Sequence, residues 1–114
     1  MKNILFICTG NTCRSPMAEA LLSHTYPEVH VQSAGLFASE GSPATEQTIQ
    51  VLKEKNIPIQ HRSQQVNKSL LQWADLVLTM TEQHSQHLVT QFPQYAEKIY
   101  PFKRYINIET PSTD

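Results

Sequence analysis

Residues 3–8, Asn-Ile-Leu-Phe-Ile-Cys, form an apolar run of strand length with no polar alternation after its first residue, the pattern of a strand buried on both faces. Strands of that kind occur in parallel α/β sheets, so this one segment already narrows the fold class. A small polar loop follows, and Ser15-Pro16 then reads as a helix start, with Ser as cap and Pro at the first helical position, where its missing N–H costs nothing. Met17, Ala20, Leu21 and His24 or Thr25 fall on one face of that helix, which Pro27 ends.

The rest of the chain repeats the alternation. Val29, Val31 and Ala34 predict a second strand running into Gly35. Ser42-Pro43 repeats the cap-plus-proline signal for a helix with Ala44, Thr48 or Ile49, and Leu52 inward, ending near Asn56. Ile57-Pro58-Ile59 is extended, 67–71 is a short helix, and 75–80 is a third buried strand. Thr81 caps a helix to about Gln91, Pro93 breaks it, and Lys98 to Phe102 form a fourth strand before a polar tail, 109–114. The order βαβαβαβ predicts an α/β, doubly wound, three-layer fold with a four-stranded parallel sheet, its ligand at the carboxyl ends of the strands. Nothing after Phe102 reads as a helix long enough to finish covering the sheet, so the expectation is one domain, 1–114, truncated at its C-terminus, with the final helix missing. An uncovered apolar face of that kind would favour self-association.

Composition excludes several function classes. Nine Lys and Arg against ten Asp and Glu leave a net charge of −1, with no excess to hold nucleic acid or an acidic membrane. No apolar run approaches a membrane span and no signal-peptide pattern follows Lys2, which predicts a cytoplasmic chain. Two cysteines, Cys8 and Cys13, are too few for a disulfide scaffold or a zinc ligand set, so their role is chemical. His84 and His87 share a helix face with no acidic or Cys partner to complete a metal site, and Trp73 with Leu70 and Leu71 reads as a core anchor. No metal and no cofactor is called for.

The loop Cys8-Thr9-Gly10-Asn11-Thr12-Cys13-Arg14-Ser15 lies between a buried strand and a helix start, where an open α/β sheet binds its ligand. Gly10 allows positive φ and close backbone approach, so that successive N–H groups can form an anion nest backed by the helix N-terminus. Such a nest fits a phosphate. Arg14 adds a planar bidentate clamp for phosphoryl oxygens, and the same positive field favours a thiolate at Cys8, a nucleophile aimed at phosphorus.

The run I-C-T-G-N-T-C-R-S-P-M-A-E, Ile7 to Glu19, resembles the low-molecular-weight phosphotyrosine phosphatase family. The resemblance extends through Gln32-Ser33-Ala34-Gly35, Ile57-Pro58 with His61, and Ala74 to Met80, nearly the whole chain. It implies that Cys8 forms a phosphocysteine and Arg14 clamps the transition state, while Asn11, Ser15, Ser33 and His61 hold the loop in shape. Thr12 stands where tyrosine-directed members usually carry an aliphatic residue. There, and through Ser33 to Ser39, the chain is most similar to the bacterial protein arginine phosphatase subset. A hydroxyl on the pocket wall can bond a guanidinium or orient water, whereas an aliphatic wall packs an aromatic ring. Phe37 is a candidate second wall. Cys13 is either a partner for oxidised Cys8 in a reversible disulfide, as the resemblance implies, or a small buried hydrophobe.

The leaving group needs an acid, which the resemblance places in a D-P-F/Y segment beyond the fourth strand. The sequence has no such segment, and Asp114 is the candidate in its place. The expected function is removal of phosphate from phosphoarginine in phosphorylated protein substrates. The alternatives are a phosphotyrosine phosphatase and an acid-less phosphate-binding remnant with weak turnover. An arsenate reductase on this fold would need a redox cysteine pair, and no Cys follows Cys13.

Overall fold

A computed structural model describes residues 2–102. The residues after Phe102, including Asp114, lie outside the described residues, and Phe102 itself, expected in the fourth strand, is helical rather than extended. The strands are β1 (Asn3–Cys8), β2 (His30–Gly35), β3 (Leu76–Thr79) and β4 (Ile99–Pro101). Between them run the helices α1 (Arg14–Thr25), α2 (Glu46–Glu54), α3 (Lys68–Trp73) and α4 (Glu82–Gln91), with a 3-10 segment at Pro93–Lys98. All strand pairings are parallel, in the order β2-β1-β3-β4.

The unbroken apolar run behaves as its pattern requires. Leu5 and Ile7 enter one core with Val77, Leu70, Leu71 and Leu88, which places α3 and α4 on that face of the sheet. Phe6 enters a second core with Leu76 and Leu78, against Ala18 and Leu22 of α1 on the other face. The sheet is therefore covered by helices on both sides, and side chains of β1 alternate between two apolar layers rather than between core and water. On the α1 side an apolar groove of about 530 Å³ remains, lined by Ile4, Phe6, Met17, Leu21, Leu78 and Phe102 among others.

Three local expectations are corrected. Helix α1 starts at Arg14, with Cys13 as N-cap and no side-chain cap; Ser15 does not cap because its hydroxyl is engaged with Cys8 and Asn11. Pro16 still falls in the first turn, where no N–H is missed. The residues of α1 against the sheet core are Ala18 and Leu22, while Met17 and Leu21 line the groove. Helix α2 starts at Glu46 rather than after Ser42, because the Thr45 hydroxyl accepts from Thr48 N–H at 3.3 Å and makes the cap. It ends at Glu54, two residues before Asn56, whose φ of 60° is a left-handed C-terminal stop.

The strand order has one functional consequence. β2 pairs with one edge of β1 and β3 with the other, so the chain reverses its direction of winding at β1. The crevice at such a switch point lies beyond the carboxyl end of β1, which is Cys8.

Candidate active site

The loop after Cys8 is held open by its neighbours. The carbonyls of Cys8 and Thr9 accept from Leu36 and Phe37 N–H at 2.9 Å each, and that of Thr12 accepts from Thr45 N–H at 2.8 Å. The Asn11 carbonyl meets His61 Nε2 at 2.6 Å, and the Cys13 carbonyl accepts from Met17 N–H at 3.2 Å and the Thr48 hydroxyl at 3.3 Å. With these acceptors committed to the surrounding protein, the N–H groups of Gly10, Thr12 and Cys13 engage no acceptor among the described residues. Backbone donors left over in a tight loop at a helix N-terminus are what an anion site consists of.

Asn11 sets the curvature. It is fully buried with φ 58°, whereas Gly10 has a negative φ, so the left-handed residue of the loop is Asn11 and not Gly10 as the sequence suggests. Asn tolerates that conformation because its short polar side chain bonds locally. Here every polar atom of Asn11 has a partner. Its N–H donates to Cys8 Sγ at 3.1 Å, and Nδ2 donates to Ser15 Oγ at 3.0 Å and Ser33 Oγ at 2.9 Å. Oδ1 accepts from Gln64 N–H at 2.9 Å. Close approach is instead secured by Gly35, at the end of β2: a Cβ there would stand 2.5 Å from the Thr9 carbonyl oxygen and 3.1 Å from Asn11 N.

The sulfur of buried Cys8 is also 2.7 Å from Ser15 Oγ. Because that oxygen already accepts from Asn11 Nδ2, the Ser15 hydrogen is available for the sulfur. Two donors thus converge on Sγ, an arrangement suited to carrying negative charge there. Behind it the network continues: the Ser33 hydroxyl donates to Glu19 Oε1 at 2.5 Å. Burial pushes the Glu19 carboxyl up from its usual 4.5, against the opposing pull of the Ser33 hydrogen bond and of His61.

The residues expected from the sequence are brought together as follows. Cys8, Asn11, Ser15 and Ser33 form one buried hydrogen-bonded cluster, with His61 bonded to its backbone. Thr9, Cys13 and Arg14 lie exposed along the loop and at the first residue of α1, and Gly10 and Thr12 are half-buried between them. Cys13 is therefore not a buried hydrophobe; both cysteines are free thiols. Phe37 is 67% exposed, beside the loop through its backbone bond to Thr9, with its ring 5.2 Å from that of His87. Glu19, Gln64, Thr48 and His84, whose Nε2 lies 2.8 Å from Thr9 Oγ1, were not singled out as site residues from the sequence. Glu19 carried a signal, since it sits four residues after Ser15 on α1. His84 carried none, being 75 residues from Thr9.

Among the described residues, no group of His, Cys, Asp and Glu side chains is placed to hold a metal ion, and no helix is long and apolar enough to cross a membrane.

Known proteins are similar to this chain over most of its length. A protein-arginine-phosphatase of Geobacillus stearothermophilus is 50% identical over 105 residues, 91% of this chain and 71% of that protein. The solved structure of a YwlE arginine phosphatase mutant with a phosphorylated active-site serine matches with a TM-score of 0.89 at 44% identity, over 91% of this chain and 71% of that one. A low molecular weight protein tyrosine phosphatase from T. tengcongensis matches with a TM-score of 0.92 at 41% identity, over all of this chain and 82% of its own. Residues 3–113 match the low molecular weight phosphotyrosine protein phosphatase family, and the chain belongs to that family.

Proposed function

We propose that this chain is a cysteine-dependent protein phosphatase that carries the phosphoryl group of phosphorylated proteins on Cys8, with phosphoarginine as its preferred substrate. The observation that carries the reading is the convergence of Asn11 N–H and Ser15 Oγ on Cys8 Sγ, at 3.1 and 2.7 Å, inside a loop with uncommitted N–H groups.

In the first step the Cys8 thiolate attacks phosphorus in line with the leaving nitrogen. The S–P bond forms as the P–N bond breaks, and the nitrogen keeps the bonding pair and takes up a proton from solvent. The loop N–H groups and the Arg14 guanidinium hold the equatorial oxygens, whose charge grows in the transition state. In the second step water attacks the phosphocysteine, the P–O bond forms as S–P breaks, and water's proton is lost to solvent or a base. The thiolate is returned and inorganic phosphate leaves. Ser15, already hydrogen-bonded at sulfur, stabilises the departing thiolate in that step.

Two features support phosphoarginine. Thr12 presents a hydroxyl where an aromatic-binding wall would be aliphatic, and the relative at 50% identity is named a protein-arginine-phosphatase. The solved arginine phosphatase with a phosphorylated active-site serine supports phosphoryl transfer to the residue in the Cys8 position. A phosphotyrosine preference is the second reading, favoured by the family description and by the T. tengcongensis relative. The deciding experiment compares kcat/KM for a phosphoarginine and a phosphotyrosine peptide in wild type and Thr12→Ile. The expected result is a wild-type preference for phosphoarginine that Thr12→Ile moves toward phosphotyrosine. An unchanged preference would overturn the role of Thr12.

Two unpaired cysteines fit a cytoplasmic setting. The apolar groove over Phe6 and Leu78 is the surface on which a second copy would pair, and sedimentation velocity across a concentration series distinguishes pairing from a monomer.

A further inference from the structure

The ends of β1 and β3 lie side by side, Ile7 paired with Thr79, and Met80 N–H donates to the Ile7 carbonyl at 2.8 Å. The first turn of α4 therefore leaves the sheet directly beside the loop that follows Cys8. Its geometry is fixed from below. The buried Thr79 hydroxyl donates to the Thr81 carbonyl at 2.8 Å, and the Thr81 hydroxyl caps the helix by accepting from His84 N–H at 3.1 Å.

His84 is thus held by its backbone, and its ring is buried with Nε2 2.8 Å from Thr9 Oγ1. In either tautomer the Thr9 hydroxyl can complement that nitrogen. One turn further along α4, the His87 ring contacts Phe37, whose N–H donates to the Thr9 carbonyl. The helix accordingly touches both the nucleophile loop and the segment after β2 that flanks it. An imidazole is a costly way to fill buried space unless its polar atoms are used, and here Nε2 is used on the residue next to Cys8.

We propose that His84 is a positioning residue for the nucleophile loop: its bond to Thr9 fixes the outer arm of the loop, so that the loop N–H groups aim at one phosphoryl position. The proposal rests on the reading of this loop as the phosphoryl site, and it assigns His84 a role through Thr9 rather than at the sulfur.

The test measures inorganic phosphate binding by titration calorimetry, and kcat and KM on a phosphoarginine peptide, in wild type, His84→Ala, His84→Gln, Thr9→Val and the His84→Ala/Thr9→Val double variant. Small misplacements of an oriented site cost up to about a hundredfold in rate, so the expected fall in kcat is about tenfold or more for His84→Ala and for Thr9→Val. KM should change less, because the loop donors bind most strongly as charge develops in the transition state. Phosphate affinity should fall in the same variants. His84→Gln, whose side-chain amide reaches the same point, should recover most of both losses, and the double variant should be no worse than either single one. Equal losses in His84→Gln and His84→Ala, or additive losses in the double variant, would overturn the proposal in favour of simple packing. A wild type that binds phosphate without turnover would count against the catalytic reading alone, and the phosphate affinities would still decide the role of His84. A wild type that binds no phosphate would overturn both.

Discussion

Replacing Asn11 should unfold the loop from its centre. The side chain is fully buried and supplies one acceptor, to Gln64 N–H, and two donors, to Ser15 and Ser33. Alanine removes all three. It leaves the Gln64 N–H without its partner in a part-buried position, a loss of about 1–3 kcal/mol. It also holds a residue with no local side-chain bond at φ 58°, which costs an L-amino acid about 1–2 kcal/mol. The sum is about 2–5 kcal/mol, a large part of the about 5–15 kcal/mol that stabilises a typical domain. Asn11→Gly keeps the hydrogen-bond loss but relieves the backbone, so it should be more stable than Asn11→Ala by about 1 kcal/mol. Asn11→Asp keeps the acceptor for Gln64 and the tolerance for the left-handed region, but aims a carboxylate at Ser15 and the sulfur beside it. With the Ser15 and Ser33 hydrogens already given to the sulfur and to Glu19, that buried charge has no donor in place of Nδ2, so this variant should be less stable than Asn11→Gly and the least active. Urea denaturation at constant m, paired with kcat on the same preparations, reads both quantities. The reasoning fails if Asn11→Ala loses less than about 1 kcal/mol, or if Gly at this position is no better than Ala.

Gly35→Ala should be destabilising by about 1–3 kcal/mol and should depress turnover, because the added Cβ would meet the Thr9 carbonyl oxygen at 2.5 Å and push the loop off Cys8. Equal melting temperature and kcat in the variant would show that the loop does not need this approach. Glu19 gives a pH dependence with a definite sign. Its folded-state carboxyl is raised above 4.5, so between that pH and its raised value the native chain binds more protons than the unfolded one, and stability falls as pH rises. The stability of wild type relative to Glu19→Gln should therefore be greatest in acid, decline above pH 4.5, and level off once the native carboxyl is ionised. Chemical denaturation across pH measures it, and a difference that grows with pH would contradict the assignment of burial as the dominant cause.

How far this was legible in the sequence depended on the range of each interaction. The β1 run, the buried third strand and the α4 boundaries at Thr81 and Gln91 follow from local pattern, and they appear where that pattern puts them. Ser-Pro at a helix start signals a cap, but at Ser15 a sulfur seven residues earlier takes the hydroxyl. The same competition moved the start of α2, where Thr45 outcompetes Ser42. Residue type alone points to Gly10 for the left-handed turn, but Asn11 bears it because its buried side chain is satisfied on every atom. Partners such as Gln64 and His84 depend on strand register across 53 and 75 residues, which no local signal encodes.

The central claim is that the phosphoryl group passes through Cys8. The most direct measurement is mass spectrometry of the chain, mixed with a phosphoarginine or phosphotyrosine peptide and quenched in denaturant within a turnover, followed by mapping of the modified segment. The expected result is a phosphorylated Cys8 in wild type, no phosphate release by Cys8→Ser, and no modification at Cys13. Phosphate release without a modified Cys8, or a Cys8→Ser variant that keeps its turnover, would contradict the account.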